Sequence, residues 1–138
     1  LSDEGAFSEA RKEYFPKRPD EEGKLVYDAR VQLHCYSGSL ELAREYVKLG
    51  ATFSIGGPLT FKNARKTVEV LEGTPLQFIM SETDAPFLAP EPKRGRPNKT
   101  PYIEHVVRRM ALVKGIEYEE AARITSDNAK RFFNIIDR

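Results

Sequence analysis

The stretch VQLHCYSGSLELAREYVKLGATFSIGG, residues 31–57, decides the fold. Its first five residues favour a short β-strand, and its last seven are small or β-favouring residues typical of a second strand. Between them, residues 40–50 repeat apolar side chains at helical spacing, with Ser39 placed to cap the helix and Gly50 to end it. Because two parallel strands need a long crossover connection, this stretch predicts one β/α unit of a parallel sheet.

The same alternation continues toward the carboxyl terminus. Residues 60–73 predict a second helix, residues 75–82 a third strand that is apolar along most of its length, and residues 102–115 a third helix. Two short helical segments follow, one at residues 118–124 and one that opens at Thr125. The chain is therefore predicted to have an α/β fold, and in such folds the functional residues lie at the carboxyl ends of the strands.

The first thirty residues have a different pattern. Residues 5–15 predict one amphipathic helix, and residues 16–24, with two prolines and a glycine, predict a solvated loop. We therefore divide the chain into residues 1–30, a helix and a polar loop that precede the core, and residues 31–138, which form the core domain.

The overall composition excludes several classes of protein. The 138 residues carry a net charge of +1 and are 40% hydrophobic, so no gross electrostatic attraction to nucleic acid or to a membrane is expected. No apolar stretch is long enough to span a bilayer, and we identify no signal peptide. A single cysteine, Cys35, rules out an internal disulfide and favours a reducing, cytoplasmic location. Because the sequence begins at Leu1, a processed or truncated product is an open alternative.

Three side chains suited to metal chemistry are predicted at one edge of the sheet. His34 ends the first strand of the core, and Glu82 and Asp84 follow the third. The imidazole could bind a metal or act as a general base, or it could simply end the strand through a hydrogen bond. The carboxylates could bind a divalent ion and take a proton from bound water, or they could form salt bridges with lysines and arginines. Their common edge favours the functional interpretation.

A basic loop follows the carboxylates directly. Residues 89–101 interleave Lys93, Arg94, Arg96 and Lys99 with prolines and a glycine. Such a stiff cationic loop could bind phosphate groups, although a solvated connector would have the same composition. Its position after the carboxylates favours phosphate and therefore suggests hydrolysis of phosphodiester bonds.

Three segments, read together and in order, resemble the carboxyl-terminal part of TatD-family metal-dependent hydrolases. They are residues 33–66, which contain HCYSG, residues 82–98, which contain ETDAP, and residues 124–135, ITSDNAKRFFNI. The resemblance implies a (β/α)₈ TIM barrel of the metal-dependent hydrolase type, of which residues 31–138 would supply about strands six to eight. It also implies divalent metal ions, Mg²⁺, Zn²⁺ or Mn²⁺, and a DNA substrate.

The resemblance also implies roles for individual residues. His34 corresponds to a metal ligand, and Asp84 lies at the metal centre, where it ligates the metal or activates water. Glu82 is a second candidate for the catalytic chemistry. Arg94 and Asn98 are candidate neighbours of the site and, with the other cations of the basic loop, are expected to contact phosphate or substrate.

The sequence departs from the family pattern at its amino-terminal side. The family's H-x-H pair on the first strand, the glutamate on the fourth and the histidine on the fifth have no counterparts. A barrel of this class has roughly 250 residues. We therefore expect a fragment, or an assembly in which self-association or a partner restores the missing part. The leading hypothesis is a deoxyribonuclease; the alternatives are an amide or ester hydrolase of the same superfamily and a catalytically silent, self-associating fragment.

Overall fold

The computed structural model describes residues 17–19, 22–28, 31–83 and 85–133, so the predicted helix over residues 5–15 lies outside the described residues. None of the helices in these ranges combines the length and hydropathy needed to cross a bilayer. The strands and helices in chain order are β1 Lys17–Pro19, β2 Leu25–Tyr27, β3 Gln32–Leu33, α1 Leu40–Lys48, β4 Thr52–Ile55, α2 Arg65–Gly73, β5 Ile79–Ser81, α3 Ile103–Lys114 and α4 Tyr118–Phe133.

The predicted alternation of strands and helices is confirmed. Strands β3, β4 and β5 form a parallel sheet in that order, with Leu33 opposite Phe53 and Phe53 opposite Ile79. Helix α1 begins where predicted, because the Oγ of Ser39 accepts the backbone N–H of Leu42 at 3.2 Å. The three carboxyl ends therefore lie at one edge of the sheet, which we call the carboxyl-terminal edge.

The two faces of β4 differ in chemistry, although all four of its residues are buried. Phe53 and Ile55 belong to the main hydrophobic core. At the alternate positions, the Oγ of Ser54 accepts a hydrogen bond from the side-chain amide of Gln32 at 2.6 Å. The Oγ1 of Thr52 accepts a hydrogen bond from the guanidinium of Arg18. The buried members of the main core are Ala43, Phe53, Ile55, Leu59, Val70, Leu71, Leu76, Phe78, Ile79, Val106 and Met110.

The prediction of a solvated loop over residues 16–24 was wrong for residues 17–19, which form β1 and pair with β2 as an antiparallel hairpin, whereas residues 22–24 are exposed as predicted. Arg18 of β1 is only 6% exposed; its guanidinium lies 4.1 Å from the centroid of the Phe78 ring and donates to Thr52 Oγ1 at 3.1 Å. An arginine in a charged segment is normally solvated. Here the aromatic face and the hydroxyl of distant core residues compensate its burial, and the hairpin is held against the sheet.

Helix α4 is continuous, so the prediction of two short segments at its position was wrong. Thr125 was expected to open the second segment. Instead its hydroxyl donates to the carbonyl of Ala121 at 2.8 Å, four residues back within the same helix, and the side chain is buried. A threonine that satisfies its hydroxyl in this way does not interrupt the backbone hydrogen bonds.

Strand β5 is shorter than predicted, because residues 76–78 form a turn of 3₁₀-helix before it. Side chains of helix α4 donate hydrogen bonds to the backbone carbonyls of this segment. The side-chain amide of Asn128 donates to the carbonyls of Leu76 and Ile79, at 2.8 and 2.7 Å, and Arg131 donates to the carbonyl of Gln77 at 2.9 Å. Side chains of α4 thus replace strand neighbours for these carbonyls.

Candidate active site

The loops that follow the three parallel strands contact one another at the carboxyl-terminal edge. The backbone N–H of Tyr36, after β3, donates to the carbonyl of Ser54 at 3.1 Å, and the backbone N–H of Glu82, after β5, donates to the carbonyl of Ile55 at 3.0 Å. These bonds extend the parallel ladder just beyond the strands. The side chains of residues 34 and 82 are therefore brought to the same place although 48 residues separate them along the chain.

His34 and Glu82 form a close pair. The Nδ1 of His34 lies 2.6 Å from the Oε2 of Glu82, and the two side chains are 61% and 8% exposed. A proton on Nδ1 would make this contact attractive, since two facing lone pairs would repel. The neutral imidazole then keeps its free lone pair on Nε2. A buried carboxylate that holds one ring nitrogen while the other remains available is the usual support of a metal-binding histidine.

The second oxygen of Glu82 is held by the backbone. Its Oε1 accepts the N–H of Cys35 at 2.5 Å. Cys35 has a φ of +50°, in the left-handed region that residues with a Cβ rarely adopt. Glu82 is therefore fixed by two neighbouring residues of the same loop. Sequence reasoning did not identify the contribution of Cys35, because a backbone donor leaves no signal in the residue type.

The Gly56–Gly57 pair allows the loop after β5 to approach β4. A Cβ added at Gly57 would lie 2.1 Å from the backbone carbonyl oxygen of Leu88, and one at Gly56 would lie 3.2 Å from Glu82. Glycines at the end of a strand allow either a turn or a close approach of another group to the backbone. The approach is made by the chain itself, so the pair positions the segment that carries the candidate carboxylates.

Asn98 forms hydrogen bonds that connect distant parts of the loop after β5. It is 5% exposed, and its side-chain amide donates to Thr83 Oγ1 at 2.8 Å and to the carbonyl of Phe87 at 2.9 Å. Its backbone N–H donates to the carbonyl of Pro86 at 2.9 Å. Asn98 thus shapes the loop that contains position 84. Its predicted contact with substrate stays a prediction.

Two of the four cations of the basic loop lie near aromatic rings. The guanidinium of Arg94 lies 3.9 Å from the centroid of Phe61, and the ammonium of Lys93 lies 5.7 Å from that of Tyr102. Arg94 and Arg96 are exposed. Aromatic faces orient these cations without neutralising their charge, so the loop can still attract an anion. Their predicted contact with phosphate stays a prediction.

The phenol of Tyr36 contributes no charge to this edge at neutral pH. Burial raises the pKa of Tyr36, and the neighbouring Tyr46 raises it further. Its hydroxyl donates to the carbonyl of Ser39 at 2.8 Å, and its ring packs edge-on against Phe53.

The described residues provide part of a metal-binding set. Asp84 lies outside the described residues, and within residues 17–19, 22–28, 31–83 and 85–133 no group of three His, Cys, Asp or Glu side chains could hold a metal ion. The imidazole of His34, which lies against Glu82, is a nitrogen donor of the kind that zinc and other divalent ions accept, and its predicted role as a metal ligand stays a prediction.

Comparison with known proteins identifies a family. The family model described as "TatD related DNase" matches residues 17–134. An "uncharacterized metal-dependent hydrolase YabD" of Bacillus subtilis is 47% identical over 103 residues, which are 75% of this chain and 40% of that protein. An "uncharacterized metal-dependent hydrolase YcfH" of Escherichia coli is 38% identical over 110 residues, 80% of this chain and 42% of that protein.

A solved structure has a similar backbone fold over most of this chain. The crystal structure of YJJV, a TatD homologue of Escherichia coli, superimposes with a TM-score of 0.70 at 30% identity, covering 76% of this chain and 40% of that one. The chain thus spans about two fifths of the length of the relatives that it matches.

Proposed function

Because this chain belongs to the TatD-related DNase family, we propose that it forms the carboxyl-terminal part of a TIM-barrel, metal-dependent hydrolase that cleaves phosphodiester bonds in DNA. Residues 31–138 would supply about strands six to eight of the barrel, preceded by the helix and polar segment of residues 1–30. The observation that carries the proposal is the 2.6 Å pairing of His34 with Glu82 at the carboxyl-terminal edge. In barrels of this kind the catalytic residues lie at that edge.

Each residue of the proposed site has a distinct task. A divalent ion, Mg²⁺, Zn²⁺ or Mn²⁺, would be held by the Nε2 of His34 and by Asp84, and when bound it lowers the pKa of water and stabilises negative charge on phosphate. Glu82 keeps the proton of the imidazole on Nδ1 and fixes the direction of Nε2. Asp84 would accept the proton of the attacking water.

The basic loop supports a phosphodiester as the substrate. Lys93, Arg94 and Arg96 would contact the nonbridging oxygens of phosphates, for which guanidinium groups have the matching fork of donors. Phe61 already orients Arg94 at 3.9 Å, so less side-chain entropy is lost on binding. A neutral amide or ester would gain little from such a loop, and this favours DNA over the other hydrolase substrates.

Glu82→Gln tests the orientation of His34. The amide keeps the size of the carboxylate, but it removes the negative charge that stabilises the Nδ1 proton. We expect the affinity for Mn²⁺ or Zn²⁺, measured by titration calorimetry, to fall by about 10-fold to 100-fold. Glu45→Gln is the matched control, since Glu45 is exposed on α1 and pairs only with the exposed Lys48 among the described residues.

Equal affinities of wild type and Glu82→Gln would show that Glu82 does not support a metal ligand. The control variant should bind metal as the wild type does. A loss in both variants would point to a general effect of charge and would also contradict the assigned role.

The proposed reaction requires further metal donors, which we expect in the part of a longer relative that this chain does not match. The assay therefore uses a chimera in which the amino-terminal part of the Bacillus subtilis relative precedes the matched segment of this chain. We expect cleavage of a labelled DNA oligonucleotide that depends on a divalent metal. Asp84→Asn should lower the rate by about 100-fold, because the amide cannot accept the proton of water.

Asp127→Asn is the control for that substitution, since Asp127 is exposed on α4 and pairs with Arg123 at 3.6 Å. Undiminished cleavage by Asp84→Asn would remove Asp84 from the mechanism. A chimera that binds metal and hydrolyses an amide or ester substrate, but not DNA, would overturn the assignment of the substrate.

A further inference from the structure

A cationic surface continues from the basic loop down the outside of the fold. Two adjoining grooves, each of about 300 Å³, lie along helices α2 and α3, and Arg109 lines both. The polar and charged residues of the first groove are Thr60, Glu91, His105, Arg108 and Arg109; those of the second are Lys62, Arg65, Glu69, Glu72 and Arg109. Neither groove contains the proposed metal ligands, so this surface is separate from the hydrolytic site.

The grooves are continuous with the carboxyl-terminal edge. Phe61 lines the second groove and also carries the guanidinium of Arg94 on its ring. The first groove adjoins the basic loop as well, because Thr60 accepts the backbone N–H of Glu91 at 2.8 Å. A chain that leaves the candidate site past Arg94 would therefore enter the grooves directly.

Two cations in this region keep their charge available. Arg65 pairs with Glu69 at 3.2 Å and Arg108 with Glu104 at 2.7 Å, so these arginines are partly neutralised. Lys62 and Arg109 form no ion pair with any residue that the structure describes. Together with Lys93 and Arg94 of the basic loop, the lysines and arginines that line the grooves outnumber the carboxylates there. The carboxylates are Glu69, Glu72 and Glu91.

Aromatic rings alternate with these cations. Phe61 lies beside Arg94, and Tyr102, beside Lys93, is part-exposed and reaches His105 in the first groove. Cations with accessible rings between them are the features by which proteins bind single-stranded nucleic acids, through phosphate contacts and base stacking, and both Phe61 and Tyr102 are part-exposed. A duplex is less suitable, because it would have to bend sharply to pass from the edge onto the outer helices.

We propose that the surface formed by Phe61, Lys62, Lys93, Arg94 and Arg109 is an accessory binding groove for single-stranded nucleic acid. It binds the strand beyond the scissile bond and leads it away from the metal site. This inference rests on the proposed function for its biological meaning, but the binding itself requires neither a metal nor cleavage.

The test is metal-free binding of a fluorescein-labelled oligo(dT) to the 138-residue chain in EDTA, followed by anisotropy. Lys62→Gln/Arg109→Gln keeps the side-chain stems and removes two charges. Affinity should fall about tenfold, and the slope of log K against log salt should become shallower by about 1.4. Phe61→Leu, which keeps an apolar side chain, should weaken binding about fivefold through lost stacking and leave the salt slope unchanged.

The matched control is Arg44→Gln/Lys48→Gln, which removes two charges from the exposed residues of α1. Its affinity and salt slope should equal those of the wild type. An equal loss in the control, an unchanged salt slope in the groove variant, or tighter binding of duplex than of single strand would each overturn the proposal. Because cleavage is measured separately in the chimera, an inactive chimera together with groove-dependent binding would reject only the proposed reaction.

Discussion

Gly57→Ala should destabilise the chain by about 3 kcal/mol, near the upper end of the cost of inserting a methyl group into a packed site. The new Cβ would lie 2.1 Å from the carbonyl oxygen of Leu88 and 3.3 Å from the nitrogen of Pro90. Both neighbours are backbone atoms. They cannot rotate away as the end of a side chain would, so one of the two segments must move.

The loop after β5 has little freedom to move. Ala89 is 5% exposed, and Asn98 holds the same loop through Thr83 and Phe87. Displacement of Leu88 would therefore disturb several contacts together. Urea denaturation followed by circular dichroism measures the loss as a lower transition midpoint with an unchanged slope.

Gly56→Ala is the matched comparison for this prediction. Its Cβ would meet Glu82 at 3.2 Å, a separation that a shift of a few tenths of an ångström relieves. We expect a smaller loss of stability, about 1 kcal/mol. Equal stability of the two variants would contradict the described approach of Leu88 to Gly57.

Asn128→Ala should cost about 3 kcal/mol of unfolding free energy. Asn128 is 2% exposed and donates both amide hydrogens, to the carbonyls of Leu76 and Ile79 at 2.8 and 2.7 Å. Alanine removes these bonds and leaves buried carbonyls without the donor, at a cost of about 1–3 kcal/mol for each unsatisfied group. The same urea titration measures the effect.

Asn63→Ala is the control, since Asn63 is exposed and undergoes the same chemical change. Its stability should lie within about 0.5 kcal/mol of the wild type, as for most surface substitutions. If Asn128→Ala were no more harmful than this control, α4 would not provide the hydrogen bonds on which the short β5 depends.

The candidate site was only partly predictable from the residues. A histidine after one strand and carboxylates after another predicted a common edge, because parallel strands end on the same side. The structure brings His34 and Glu82 together there. The contribution of Cys35 was not predictable, because its backbone N–H and its φ of +50° depend on a partner 47 residues away.

Errors in the predicted elements have the same physical origin. The sequence around Arg18 predicts a solvated segment, yet the ring of Phe78 and the hydroxyl of Thr52 compensate the burial of the Arg18 side chain. Thr125 was predicted to open a separate helical segment, yet its hydroxyl donates within the continuous helix α4. In both cases the side chain had two compatible states, and contacts beyond the local sequence selected one of them.

The sequence by itself determined the alternation of strands and helices over residues 31–115, the cap at Ser39 and the edge at which polar side chains gather. These features depend on periodicity and on neighbours within a few residues, which the sequence lists directly. Only the tertiary structure decided the hairpin of β1 and β2, the length of β5 and the pairing of His34 with Glu82. Those depend on hydrogen bonds and packing between residues far apart in the chain, where the free energy of burial outweighs local preference.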